Sequence, residues 1–349
     1  MSIVYASRSR ALAPARRFIQ AAPPPPPPPP PTGPTPTPWV RPADWPAISV
    51  PIATEQRFVG VHAVFNDGSN FVALSASGAY TVDWGDGTVQ NIAAGVTAQH
   101  VYSFSNVNLS PVTERGFRCA VVTVTPQAGQ NLTALNLHLR HNQTGLGVYV
   151  SGFLDIAVSG PHLSDFRLAV AAPGEGVQNI NFNALERVNI VNSIVTTPSQ
   201  MFLSCRKLRQ VDAVVLAASV TNFNQMFQGC TSLQTIPLLN TAAGTNFSNM
   251  FQNCLSLKSV PALNVGAGSS AANLNNMFNS CSSLSNIDAH GFRFSFSVAG
   301  CKLSAAALDK LYGNLAVTTG QTITVTTNHG TATDNPAIAT GRGWTVTGS

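Results

Sequence analysis

Charge is what this 349-residue sequence has least of: Asp, Glu, Lys and Arg make up 9% of it, against about 25% in an ordinary soluble domain. Its surface cannot be ionic, so Ser, Thr, Asn, Gln and Gly must supply it, as in an extended β protein. No run of 18 apolar residues occurs, which excludes a membrane-spanning helix and with it membrane insertion. The N-terminus lacks the apolar stretch of a secretory signal. There is no G-x-x-x-x-G-K-[ST], G-x-S-x-G or H-E-x-x-H, so nucleotide, hydrolase and zincin chemistries lack their residues. No C-x-x-C pair is present, which speaks against zinc. No cofactor is expected.

What is there is apolar and long. Hydrophobic residues reach 44%, enough to bury cores in two or three domains. The formal charge of +5 would point to nucleic acid if it were spread over a face. Arg8, Arg10, Arg16 and Arg17 hold four of those charges, leaving the rest of the chain nearly neutral, so no nucleic-acid partner is expected. Residues 1–22 form a basic arm with apolar Phe18 and Ile19. Being Arg- and Ser-rich without acids, the arm resembles a mitochondrial presequence, but the modules after it are not those of an organelle enzyme. Such a short arm, holding Pro14, does not fold alone. It is expected to anchor the protein through Arg8, Arg10, Arg16, Arg17, Phe18 and Ile19.

Residues 23–45 read as a linker. Pro23 to Pro31 is unbroken and Pro34, Pro36 and Pro38 follow, so residues 23–38 extend as polyproline II over roughly 50 Å. A spacer is favoured over an SH3 ligand, because no basic residue flanks a PxxP.

Residues 46–127 read as short strands and turns. Tyr80, Val82 and Trp84 alternate along a strand, and Gly85-Asp86-Gly87 supplies residues tolerant of positive φ for a hairpin. His100-Val101-Tyr102 and Ala120 to Val124 supply later strands. This segment resembles the PKD-type immunoglobulin-like sandwich, with Trp84 placed directly before Gly85, closer to the turn than in the usual order. Asp83 and Asp86 invite a calcium reading, but two carboxylates without a third anionic ligand fit turn chemistry better.

From residue 128 to 300 a repeat dominates. Leu-x-x-[Ile/Val/Phe] recurs at Leu163, Leu185, Leu208, Leu233, Leu257 and Leu284, spaced by 22 to 27 residues. A second kernel, Met-Phe-x-x-Cys, precedes the last four. It places Phe202, Phe227, Phe251 and Phe278, with Cys205, Cys230, Cys254 and Cys281, in equivalent slots. One unit cannot bury its own apolar face, so the coils should stack and share a core. The phenylalanines and cysteines then form inward columns, the thiols free because parallel Cβ vectors do not converge as a disulfide requires. Cys119 and Cys301 read as separate singles. The pattern resembles the BspA-type leucine-rich repeats of bacterial surface antigens, adhesins and virion proteins. Residues 301–349 read as a cap: a helix over 303–315 with Ser304 as N-cap, then strands at 322–325 and 343–346.

No catalytic or metal constellation emerges, so the chain is not expected to be an enzyme. His138 and His141 form the only close histidine pair, on a strand rather than a helix face. A glycan-cleaving spike needs two carboxylates about 5–9 Å apart. The repeat offers Asp155, Asp165, Glu175, Glu186, Asp212 and Asp288, and Glu186 with Arg209 one coil later reads as an ion pair between rungs. The fold class expected is mainly β: arm, polyproline linker, immunoglobulin-like sandwich, leucine-rich solenoid, and a cap with one helix. That architecture is similar to appendage proteins of tailed phages, implying a virion structural protein made in the host cytoplasm. Its partners would be other virion proteins through residues 1–22 and a host-surface glycan or protein, with a homo-oligomer allowed. A bacterial cell-surface adhesin and a glycan-cleaving tail spike are the alternatives.

Overall fold

Strands before residue 137 form two facing sheets that both run on into the repeats. The first strands are β1 (Arg57–Val64), β2 (Phe71–Ala76), β3 (Tyr80–Asp83), β4 (Val89–Ile92), β5 (Ala98–Val101), β6 (Arg118–Pro126) and β7 (Ala134–Asn136). Then come β8 (Tyr149–Val150), β9 (Phe153–Ser159), β10 (Asp165–Arg167), β11 (Ile180–Asn181), β12 (Arg187–Ile190), β13 (Ile194–Val195), β14 (Gln210–Val211) and β15 (Val215–Leu216). The chain continues through β16 (Ser259–Val260), β17 (Asn286–Ile287), β18 (Phe296–Ser297), α1 (Ala305–Gly313), β19 (Gln321–Thr324), α2 (Ala337–Thr340) and β20 (Trp344–Thr347). This computed structural model describes residues 38–349 except 68–69, 138, 140, 143–148, 151, 169–179, 182–183 and 266–271. The arm with Arg8, Arg10, Arg16, Arg17, Phe18 and Ile19, the linker up to residue 37, His138 and Glu175 lie outside the described residues. The fold is mainly β, with two helices among those residues and open sheets. Neither helix is long and apolar enough to cross a membrane.

The larger sheet has the order β14-β12-β9-β1-β6-β3-β4. Pairing is antiparallel from β9 to β4 and parallel from β9 through β12 to β14. The smaller sheet, β10-β7-β2-β5, makes the same change from antiparallel to parallel at β7. The start of the repeat region at residue 128 is therefore no break in the sheets. One apolar core runs from Phe58 to Trp344, and residues 38–349 belong to one compact unit.

Strand β1 does not alternate between buried and exposed, because both its faces are covered. Phe58 and Val64 face the main core, whereas Val61 and Ala63 join a second cluster with Trp45, Phe117, Cys119 and Leu154. The cover on that side is the segment after residue 38. Residues 38–45, which their proline content assigns to the linker, belong instead to the folded body: Trp45 is buried and Trp39 packs 6.3 Å from it.

The β3–β4 hairpin forms where Gly85 and Gly87 allow it, at φ of 74° and 93°. A Cβ on Gly85 would stand 2.4 Å from the Val121 carbonyl oxygen, so no other residue fits. Tyr80, Val82 and Trp84 all point into the core, and the Tyr102 hydroxyl donates to the Trp84 carbonyl at 2.9 Å.

In the repeats, successive coils are joined by backbone bonds one unit apart, such as Phe202 N–H to Met226 O, Phe227 N–H to Met250 O and Phe251 N–H to Met277 O, at 2.9 to 3.0 Å. Two residues of each coil are left-handed. Gln200, Gln225, Asn249 and Asn276 precede the Met; Ser204, Gly229, Asn253 and Ser280 precede the Cys. These positions turn the chain so that Met, Phe and Cys all face inward.

The first kernel is framed differently than Leu-x-x-Phe implies. Leu163 to Phe166 lies on the smaller sheet, where β10 pairs with β7. The rung before Val188 is Ile156, on β9. Phe153-x-x-Ile156 and Leu163-x-x-Phe166 each place two apolar residues three positions apart, and only strand pairing separates them. The helix starts as expected: Ser304 Oγ accepts from the Ala307 N–H at 3.3 Å, and Leu308, Leu311 and Tyr312 are buried.

Candidate functional site

The inward columns follow from the coil geometry. Phe202, Phe227, Phe251 and Phe278 are fully buried, and their rings stack at 5.1, 5.8 and 5.8 Å between successive coils. A second aromatic pair, Phe223 with Phe247 at 5.1 Å, stands one turn earlier in each coil, closed by the Met226 and Met250 N–H bonds to the Phe223 and Phe247 carbonyls. Sequence reading missed it because Leu274 ends the series, although the Asn-Phe of Asn222-Phe223 and Asn246-Phe247 signals it.

All six cysteines are buried free thiols. Three of the four thiols of the column donate to a carbonyl of the preceding coil: Cys230 to Phe202 O, Cys254 to Phe227 O and Cys281 to Phe251 O, at 3.0 to 3.1 Å. Burial pushes Cys254 up to about 12 and holds Cys205, Cys230 and Cys281 well above the ordinary thiol value. These groups stay protonated and unreactive. Cys301 is not a separate single. It takes the next rung, 4.0 Å from Phe278 O, with Val298 in the slot of the phenylalanine.

At the hairpin, Asp83 accepts from the Gly85 N–H at 2.9 Å and Asp86 from the Thr88 N–H at 3.1 Å. Asp86 also binds His100 Nε2 at 2.8 Å. Burial opposes the Asp86 charge, but His100 and Thr88 hold its carboxyl below the usual range. His100 in turn stacks on Trp84, ring centroids 5.0 Å apart. Both acids are thus engaged in turn and core contacts. His141 packs against Phe71. Among the described residues no group of three His, Cys, Asp or Glu is arranged to hold a metal.

The charged residues converge on the outer face of the larger sheet. Asp155 projects there from β9, fully buried, its Oδ2 accepting from Arg41 Nε at 2.8 Å and its Oδ1 lying 3.5 Å from Arg187 Nη1. Arg187 also holds Asp212 from the next rung. Arg41 donates to the Trp45 and Pro46 carbonyls, at 3.1 and 2.6 Å. Glu186 is bound by Arg115 and by Trp39 Nε1, the latter at 3.1 Å. The ion pair expected between Glu186 and Arg209 is therefore replaced: Arg209 gives Glu186 only a backbone bond, N–H to O at 2.9 Å. Arg115, contributed by the loop before β6, reaches the carboxylate first. Trp39 lies 5.8 Å from the Arg187 guanidinium carbon and Trp45 lies 5.4 Å from that of Arg115. A strap of residues 38–48 is thus tied by charge and by aromatic faces across the junction between the two halves of the sheet. Among the described residues, the other acids of the repeats also meet cations, Asp165 with Arg167 and Asp288 with Lys310.

Beside this strap, on the rungs after β14, a groove of about 340 Å³ opens at Trp39. Trp39, Gln210, Gln234 and Arg209 give it aromatic, amide and cationic walls.

Against known families, residues 175–291 match the model of a family described as a Mycoplasma protein of unknown function, DUF285. The match spans the Met-Phe-x-x-Cys coils, about a third of the chain, and marks that region as similar to this family. No curated protein matches the chain.

Proposed function

We propose that the chain is a structural appendage protein of a virion, anchored by its N-terminal arm and presenting a leucine-rich solenoid for attachment to a host surface. In this reading the strands from β1 to β7 are an immunoglobulin-like, PKD-type sandwich, and its two sheets serve as the first rungs of the solenoid. The observation that carries the reading is the continuity of sheet and core from β4 to β14: a surface held this rigidly meets a partner with little ordering loss. The strap at Trp39 to Trp45 adds to it, because the proline-rich segment then leaves from a fixed point. Engagement of Asp165, Glu186, Asp212 and Asp288 by cations favours binding over glycan cleavage.

A bacterial cell-surface adhesin is the second reading, favoured by the description of the matching family as a Mycoplasma protein. Immunogold labelling of producing cells and of released particles separates the two. Label on particles is expected, lost when residues 1–22 are deleted although residues 38–349 stay folded. Label confined to the cell envelope refutes the virion reading, and wild-type copy number in the truncated protein refutes the anchoring role of the arm.

A further inference from the structure

The backbone ladder between coils is interrupted beyond β14, where the larger sheet ends, and resumes at β16 and β17. Asp212 N–H donates to the Val188 carbonyl at 3.0 Å, and Asp288 N–H to the Val260 carbonyl at 2.9 Å. The two coils between them put Pro237 and Pro261 in that slot, and proline has no N–H to give. Beside this interruption lies the groove of about 340 Å³, lined by Trp39, Arg209, Gln210, Asp212, Gln234 and Pro237 among others. That volume falls in the range of small-ligand clefts, ~300–1,000 Å³.

Its walls are chemically uneven. Trp39 is held by its Nε1 bond to Glu186 and by Arg187 against its ring, so it forms a fixed apolar platform. Asp212 brings a carboxylate, but Arg187 and Gln210 already bind it. Arg209 is exposed and meets no carboxylate among the described residues, and the same is true of Arg206 and Lys207 just before it. Lys258 holds the slot of Arg209 two coils further on. The groove is therefore electropositive around one unpaired guanidinium, beside an aromatic face and amide side chains.

We infer that this groove binds an acidic glycan, with a sugar ring against Trp39, hydroxyls toward the amides of Gln210 and Gln234, and a carboxylate on Arg209. A guanidinium fork suits a planar carboxylate and adds selectivity over a neutral sugar. Arg209 is the single cation among the residues lining the groove, too few to follow a nucleic acid backbone. This inference rests on the attachment reading and names the ligand class of that surface.

Calorimetric titration of the full-length protein tests it, with a galacturonic acid hexamer, its carboxyl-reduced neutral hexamer and hexaglutamate as probes. The uronate hexamer should bind at least tenfold more tightly than the reduced one. R209A should erase that preference while its melting temperature stays unchanged, since Arg209 is exposed. R293A, which removes the same charge from another coil, should leave the preference intact. Equal binding of the two hexamers, an equal loss in R293A, or tighter binding of hexaglutamate overturns the inference. Host-surface adhesion is scored separately. A wild type that adheres, with R209A adhering equally, refutes the groove alone. A wild type that keeps the uronate preference but does not adhere refutes the attachment reading alone.

Discussion

Replacing Phe251 by Ala removes a ring that is fully buried and stacked at 5.8 Å on both Phe227 and Phe278. Such truncations lose the transfer free energy of the ring and gain a cavity, about 3–5 kcal/mol together. Here the cavity cannot collapse, because the Phe251 N–H bond to Met277 O at 3.0 Å and that of Phe227 to Met250 O at 2.9 Å fix the coil spacing. The loss should therefore lie in the upper half, about 4–5 kcal/mol. An unfolding entropy of ~2.1 cal/mol/K per residue, over a cooperative unit of about 300 residues, converts this to roughly 6–8 °C in Tm. Scanning calorimetry of F251A beside L238A measures it. Leu238 is 67% exposed, so its truncation should change stability by less than about 0.5 kcal/mol. A loss below about 1 kcal/mol in F251A would refute the inward column. A separate early transition confined to the repeats would refute the single core, since a one-dimensional stack can melt in parts only if its coils are weakly coupled to the rest.

Four further outcomes are expected. His62 is buried against Tyr102 and Phe153, and burial first, then the nearby His100, lowers its pKa to about 3; the unfolded chain then takes up the proton first, so stability should be complete above about pH 6.5 and fall by about 2 kcal/mol at pH 5. His141, also lowered, adds in the same direction, and a denaturation series whose pH slope is unchanged in H62Q would refute the assignment. D155A should cost about 3–5 kcal/mol, because it leaves Arg41 and Arg187 partly buried without their shared carboxylate, and a urea midpoint within error of wild type would show the strap to be ornamental. Asn253 has φ of 61° and an exposed side chain, so N253V should cost about 1–3 kcal/mol and N253G only a few tenths; equal losses measured by denaturant would refute the left-handed turn. Thiol titration in denaturant without reductant should find the six cysteines free, and disulfide-linked peptides in non-reducing mass mapping would overturn the column.

The sequence by itself determined the period. Phe, Cys and Leu must face one shared core in every coil, so the rule is local and repeats where it can be counted. The hairpin at Gly85 and the helix start at Ser304 were legible for the same reason, since a turn and a cap are chosen by residues within four positions of each other. Only the tertiary structure decided matters that depend on distant partners. Leu163 to Phe166 has the spacing of the other kernels, yet the smaller sheet claims it because β7 offers an edge to pair with. Arg41 finds Asp155 and Arg115 finds Glu186, 114 and 71 residues away, which no pattern along the chain reveals. Residues 38–45 looked like spacer because proline marks extended chain, while the burial of Trp45 depends on apolar positions of β1, β6 and β9 that face outward. Gln200 and Ser204 are left-handed only because the neighbouring coil accepts their bonds. The joining of two sheets into one ladder has the same origin: strand edges carry no side-chain label, so their pairing is settled by which edges the folded core brings together.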